Sequence, residues 1–169
     1  DQEWIYDPTP DFTYGFNIYL EYKNFDFTAF FQGVQGVDII SDLKKETDIW
    51  AGLNIGFLNK GRRLLDAWSP TNPNSNIPAV TLSDNNNEKR VSSYWVENGS
   101  YLKLRTVQLG YNVPKTFAQK LAMERLRFYL SAQNVFTLKS SGFTGVDPEN
   151  PNYGYPIPLN ITFGLNVTF

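Results

Sequence analysis

The chain offers few groups for chemistry, because it holds no histidine and no cysteine. Without them the commonest general base, the thiolate nucleophile and the usual zinc ligands are all missing. Asp, Glu, Lys, Tyr and the hydroxyls remain, and no pair of carboxylates falls at a spacing that argues for acid–base work. Asp147-Pro148-Glu149 suits either a cation at a loop mouth or turn chemistry. Turn chemistry is the better reading, since Asp before Pro sets a bend. Asp84, Asn86 and Glu88 in "SDNNNE" have a superficial likeness to a calcium loop. They lack its sharp-turn glycine and its spaced bidentate glutamate. The expectation is a protein that is not an enzyme, with no catalytic residue, no metal and no cofactor.

Binding groups are more plentiful. Trp50, Trp68, Trp95 and Tyr153 offer flat rings in loop-like surroundings, either to stack on sugars or to pack a loop against itself. Lys60, Arg62 and Arg63 in "KGRR" suit phosphates of lipopolysaccharide or a partner subunit, but a solvated loop face is the default. The formal net charge of -2, with both signs mixed along the chain, leaves no footprint for nucleic acid and no polybasic segment.

The elements that must carry these groups read as strands. The chain closes on "NITFGLNVTF", in which Ile161, Phe163, Leu165, Val167 and Phe169 alternate with Asn160, Thr162, Gly164, Asn166 and Thr168. Period two over that length marks a strand with one apolar face. Residues 13–23 repeat it, with Tyr14, Phe16, Ile18, Leu20 and Tyr22 on one side. A tight turn at Lys23-Asn24 leads into a second strand near 25–37. Alternation returns near 100–111, but its phase slips between Leu104 and Val107, which a bulge at Arg105-Thr106 would reconcile. A further strand is expected near 124–138, and the last near 159–169. Between them lie long loops near 38–99 and 139–158, the first with a short helix somewhere from Asp48 to Trp68.

Aromatic residues make up 16% of the chain although its mean hydropathy is -0.37, which fits rings concentrated on one side of each strand. The strands run about ten to twelve residues, and a tilted strand needs about 9–11 to cross a bilayer. Connections that alternate between short and long belong to outer-membrane barrels. With about five strands here and at least eight in such barrels, the chain is expected to be one part of a larger barrel. Open edges in hydrocarbon would otherwise leave backbone groups unpaired. On this parity Ile161, Phe163, Leu165, Val167 and Phe169 face lipid, while Asn160, Thr162, Asn166 and Thr168 line the lumen. Asn160 and Asn166 also begin Asn-x-Ser/Thr sequons, as does Asn98, but a lumen position would obstruct glycosylation.

"LLDAWSPTNPNSNIP", "YWVENGSYLKLRTVQLGYNVP", "LRFYLSAQNVFTL", "SGFTGVDPE" and "FGLNVTF" follow one another in order. Together they resemble the C-terminal end of the SusC/RagA family of TonB-dependent outer-membrane transporters. The resemblance implies an all-β, antiparallel transmembrane barrel of 22 strands with a plugged lumen. It implies import of glycans or oligopeptides, a SusD-like surface lipoprotein as partner, and TonB as the energy source. The plug and the TonB-contacting segment would lie outside these residues. The resemblance also implies outward-facing long loops, a periplasmic C-terminus, and a terminal aromatic read by the barrel-assembly machinery. The rival reading is a soluble β-sandwich module for glycan binding or adhesion. That fold would cover the apolar face with a second sheet.

Overall fold

The computed structural model describes residues 3, 5–48, 60–81, 87, 90–151 and 154–169. In chain order its elements are β1 (Phe12–Tyr22), β2 (Phe25–Gln35), β3 (Asp38–Ile40), α1 (Asp42–Asp48), β4 (Val96–Asn98), β5 (Tyr101–Asn112), α2 (Lys115–Lys120), β6 (Arg125–Lys139) and β7 (Asn160–Thr168). Short 3-10 turns occupy Arg62–Asp66 and Ser93–Trp95. The chain divides into two units, each built on a different principle.

The first unit comprises Pro10–Gly36, Ser100–Ser140 and Pro156–Phe169. It is a five-stranded sheet in the order β1-β2-β5-β6-β7. Every neighbouring pair is antiparallel. Lys23 adopts φ 55 in the tight β1–β2 turn, a left-handed conformation that reverses the chain within two residues. The β5–β6 connection is also compact and holds α2, whereas β2 to β5 and β6 to β7 are joined by long excursions. Short connections therefore gather at one end of the sheet and long ones at the other. β2 stops at Gln35, short of the expected 37, because Gly36 takes φ 70 and turns out of the ladder.

Register explains the slipped phase on β5. Phe30 pairs with Thr106 and Phe31 with Leu104, so Arg105 is the extra residue of a bulge. Against β6 the ladder breaks at the same place, and Asn134 there has φ 56. The bulge keeps Leu102, Leu104, Val107, Leu109 and Tyr111 on one face despite their change of parity.

The second unit comprises the described residues of Asp1–Thr9, Val37–Gly99 and Ser141–Tyr155. Its sheet is a ribbon of β3 and β4, pairing Asp38 with Asn98, Ile39 with Glu97 and Ile40 with Val96. The expectation of a long loop near 38–99, with a short helix from Asp48 to Trp68, did not include this ribbon or α1. Three-residue strands carry no period that could announce them, and only their partner reveals them. Most of the helix expected between Asp48 and Trp68 lies outside the described residues. Within them, helical turns fall at α1 and at Arg62–Asp66.

Trp95 anchors this second unit at 2% exposure, packed against Ile40 and edge-on to Tyr94 at 5.2 Å. Around it the interior is polar. Glu97 is buried and accepts from Thr144 N (2.9 Å) and Thr144 Oγ1 (2.6 Å) and pairs with Lys44 Nζ (3.1 Å). Asp48 accepts from Arg63 Nε (2.7 Å) and Thr47 Oγ1 (3.0 Å), and from the Tyr94 hydroxyl. Burial, then the hydrogen bond to Asp48, push the Tyr94 hydroxyl well above the ordinary phenol range. Glu97 and Asp48 are thus each satisfied by several donors, as burial of charge demands.

Candidate functional site

The candidate site is the five-stranded sheet itself, because its two faces have opposite chemistry. Residues opposite one another in a ladder share a face. From Leu165 the register runs through Phe128 and Tyr111 to Phe25 and Tyr22. From Phe163 it runs through Leu130, Leu109 and Phe27 to Leu20, and from Ile161 through Ala132, Val107 and Ala29 to Ile18. Each row is apolar across all five strands. The rings stack along it, with Phe16 on Phe31 at 4.6 Å and Phe25 tilted on Tyr111 at 4.8 Å.

This face is bare. Leu20, Tyr22, Leu130, Ile161, Phe163 and Leu165 each expose half or more of their surface. In water a contiguous apolar face of this size would be strongly unfavourable, at about 25 cal/mol per Å² left uncovered. A β-sandwich would cover such a face with a second sheet, whereas these large side chains stay exposed.

The other face is polar along the same rows. Thr162 opposes Ser131, which opposes Gln108, which opposes Thr28. Its centre of charge is a cluster near the short-connection end. Arg127 on β6 reaches Asp26 on β2, with Nε donating to Oδ1 at 3.1 Å and Nη2 pairing with Oδ2 at 2.5 Å. Asn112 Nδ2 donates to the same Asp26 at 3.2 Å, and Arg125 Nη2 donates to Asn112 Oδ1 at 3.2 Å.

The ion pair skips a strand. Between its partners lies β5, and the residue on that spot is Gly110, which opposes both Asp26 and Tyr129. A Cβ at Gly110 would sit 2.4 Å from Arg127 Nη2 and 2.5 Å from both Asp26 carboxylate oxygens. The glycine is therefore a gap through which the side chains meet. Gly164 does the same for Tyr129, whose ring would lie 2.3 Å from a Cβ there. Below the cluster, Asn112, Val113, Lys115, Glu124, Arg125 and Thr168 line an open cleft of about 330 Å³. The arrangement offers fixed charge and hydrogen bonds, suited to holding strands and contacting a solute, with no nucleophile set against a base.

The residues singled out by sequence are distributed unevenly. Ile161, Phe163, Leu165 and Val167 lie on the apolar face of β7, with Phe169 just beyond it, while Asn160, Thr162, Asn166 and Thr168 lie on the polar face. Trp68 is half exposed. Trp95 packs its loop instead of presenting a ring, and its indole N–H donates to Arg90 O at 2.9 Å. Trp50 and Tyr153 lie outside the described residues, as do Asp84, Asn86 and Glu88. Asp147 makes the turn expected of it, its Oδ1 accepting from Glu149 N at 2.9 Å. Arg63 of "KGRR" is committed to Asp48 and not left to solvent. Sequence reading missed Asp26, Gly110 and Arg127. A signal did exist, in the glycines that interrupt the polar parity at positions 15, 110 and 164.

A sheet apolar and largely exposed on one face, polar on the other and short-turned at one end is a piece of transmembrane β-barrel wall. No protein-family model matches the chain. It is 38% identical over 185 residues to TonB-dependent receptor P3 of Formosa agariphila, covering 100% of this chain and 17% of that protein. It is 30% identical over 176 residues to TonB-dependent receptor SusC of Bacteroides thetaiotaomicron, covering 96% of this chain and 15% of that protein. The solved structure of the RagAB peptide transporter matches with a TM-score of 0.78 at 28% identity, over 97% of this chain and 18% of that one. The chain thus spans about a sixth of the length of the relatives it matches. Its homologues are thus TonB-dependent receptors, SusC among them, and its fold matches a portion of the RagAB transporter. These relatives are receptors and transporters, not enzymes.

Proposed function

We propose that these residues form the C-terminal wall of a TonB-dependent importer for large nutrients, glycans or oligopeptides, in a barrel of 22 strands. The observation that carries the reading is the bare apolar face, unbroken across all five strands and backed by a polar one. In the complete protein the apolar face meets lipid and the polar face lines the lumen. Asp26, Arg125, Arg127 and Tyr129 would there face solute or plug. The long-connection end of the sheet faces outward and the short-connection end faces the periplasm.

A SusD-like lipoprotein lid and energy from TonB complete the cycle. Of the loop rings singled out by sequence, Trp68 is exposed to meet a substrate, with Trp50 and Tyr153 as further candidates. The description of RagAB as a peptide transporter supports oligopeptides as one substrate class. The test is growth of cells lacking the receptor on oligopeptides or on single glycans as sole nutrient. One class of nutrient should cease to support growth, and deleting TonB should reproduce that defect. Growth unaffected on all of them, or a receptor recovered in the soluble fraction, would overturn the reading.

A further inference from the structure

The β5–β6 connection carries a bare apolar side that barrel closure does not require. Phe117 and Leu121 are 60% and 59% exposed. They are four residues apart and so share a side of α2 and its last turn. Lys115, about half a turn round, lines the cleft together with Asn112, Arg125 and Thr168 of the polar face. Ala118 is fully buried. Phe117 and Leu121 therefore occupy the side of the turn away from that cleft.

Cations lie over rings at this end of the sheet. Lys120 Nζ lies 5.4 Å from the centre of the Phe117 ring, and on the β1–β2 turn Lys23 Nζ lies 5.2 Å from the Tyr22 ring. The aromatic row of Tyr22, Phe25 and Tyr111 is the last apolar row of β1, β2 and β5 at this end, and Leu126 and Val167 add one more on β6 and β7. Of the acids nearby, Asp26 pairs with Arg127, Glu21 accepts from the Tyr19 hydroxyl, and Glu124 lines the cleft.

We infer that α2 is a foot on the membrane surface, in which Phe117 and Leu121 enter the boundary between headgroups and acyl chains while Lys120 and Lys23 bind phospholipid phosphates. Two features of the sheet favour lipid over a protein as the occupant. The apolar face runs continuously down to the aromatic row, and the cations sit where headgroup phosphates would lie. The inference rests on the apolar face being lipid-facing.

The test uses the complete receptor in vesicles of phosphatidylethanolamine and phosphatidylglycerol, with a nitroxide on F117C, F163C or T162C. Collisions with oxygen report lipid, and collisions with a nickel chelate report water. The label at 163 should be deep, that at 162 open to nickel, and that at 117 shallow but shielded from nickel. K120E, or vesicles without phosphatidylglycerol, should raise nickel collisions at 117 about two-fold or more. A deep label at 163 with a fully water-exposed label at 117 would overturn the foot and leave the lipid-facing reading standing. A water-exposed label at 163 would overturn both. Shielding at 117 in native envelopes but not in pure lipid would assign the site to a protein partner and overturn the inference. An unchanged signal with K120E and without phosphatidylglycerol would overturn the headgroup contact.

Discussion

The wall sheet and the β3–β4 unit solve the same problem, holding a chain in place, by opposite means. The wall keeps almost nothing for itself. Its long strands satisfy their backbone groups in four antiparallel ladders, and its large apolar side chains are turned outward. The loop unit has short strands and few ladders, so it gathers its own interior around Trp95, Glu97 and Asp48. The difference shows where each part gets its stability. On the proposed reading the wall relies on its surroundings, lipid on one side and the barrel's contents on the other. The loop unit relies on side chains meeting side chains.

Substitutions that strike one region and spare the other sharpen the contrast. The largest effect belongs to Trp95→Ala, which empties the centre of the loop unit and should cost about 3–5 kcal/mol there. Limited proteolysis of the intact receptor should then cut within residues 38–99 at much lower protease, while the heat-resistant migration of the barrel stays the same. Loss of that migration would mean the wall depends on the loop's packing.

A smaller effect is expected at Gly110→Val, which places a side chain where Asp26 and Arg127 meet, at a cost of about 1–3 kcal/mol. Gly142→Val is its control, since a Cβ at Gly142 meets nothing within 4 Å. Urea unfolding of the receptor in lipid vesicles should separate the two. Equal midpoints would show that the ion pair contributes nothing to the wall.

The smallest effect concerns pH. The Tyr94 phenol is held above its ordinary range, so its protonated form is favoured by folding. That stability is complete below the ordinary phenol value and declines as pH rises beyond it. Tyr94→Phe should cost about 1 kcal/mol at neutral pH, from the lost hydrogen bond to Asp48. It should also flatten the alkaline rise in protease sensitivity of the loop unit. An unchanged alkaline limb would place the titrating group elsewhere.

Much of the wall was legible in the sequence, because its organising period is two and needs no knowledge of partners. The alternation at Tyr14–Tyr22 and Ile161–Phe169, and even the phase slip near Arg105, can be read from one strand at a time. What escaped requires pairing. Asp26 and Arg127 are 101 residues apart and meet only because β5 lies between their strands with a glycine at the right level. The β3–β4 ribbon joins Ile39 to Glu97 across a segment whose turn-rich composition reads as loop. Trp95 offered one ring and two uses, and only its burial separates them.

The central claim, that the two faces of the sheet meet lipid and lumen, is tested most directly by one matched pair on β7. Phe163 and Thr162 are neighbours in the chain, opposite Leu130 and Ser131 respectively. Phe163→Arg places a charge within the lipid-facing band and should cost about 2–4 kcal/mol. Thr162→Arg adds the same charge to the lumen. The measurement is the amount of heat-resistant, folded receptor in the outer-membrane fraction. The account predicts a marked loss for Phe163→Arg and near-normal assembly for Thr162→Arg. Equal assembly of the two, or the reverse order, would contradict it.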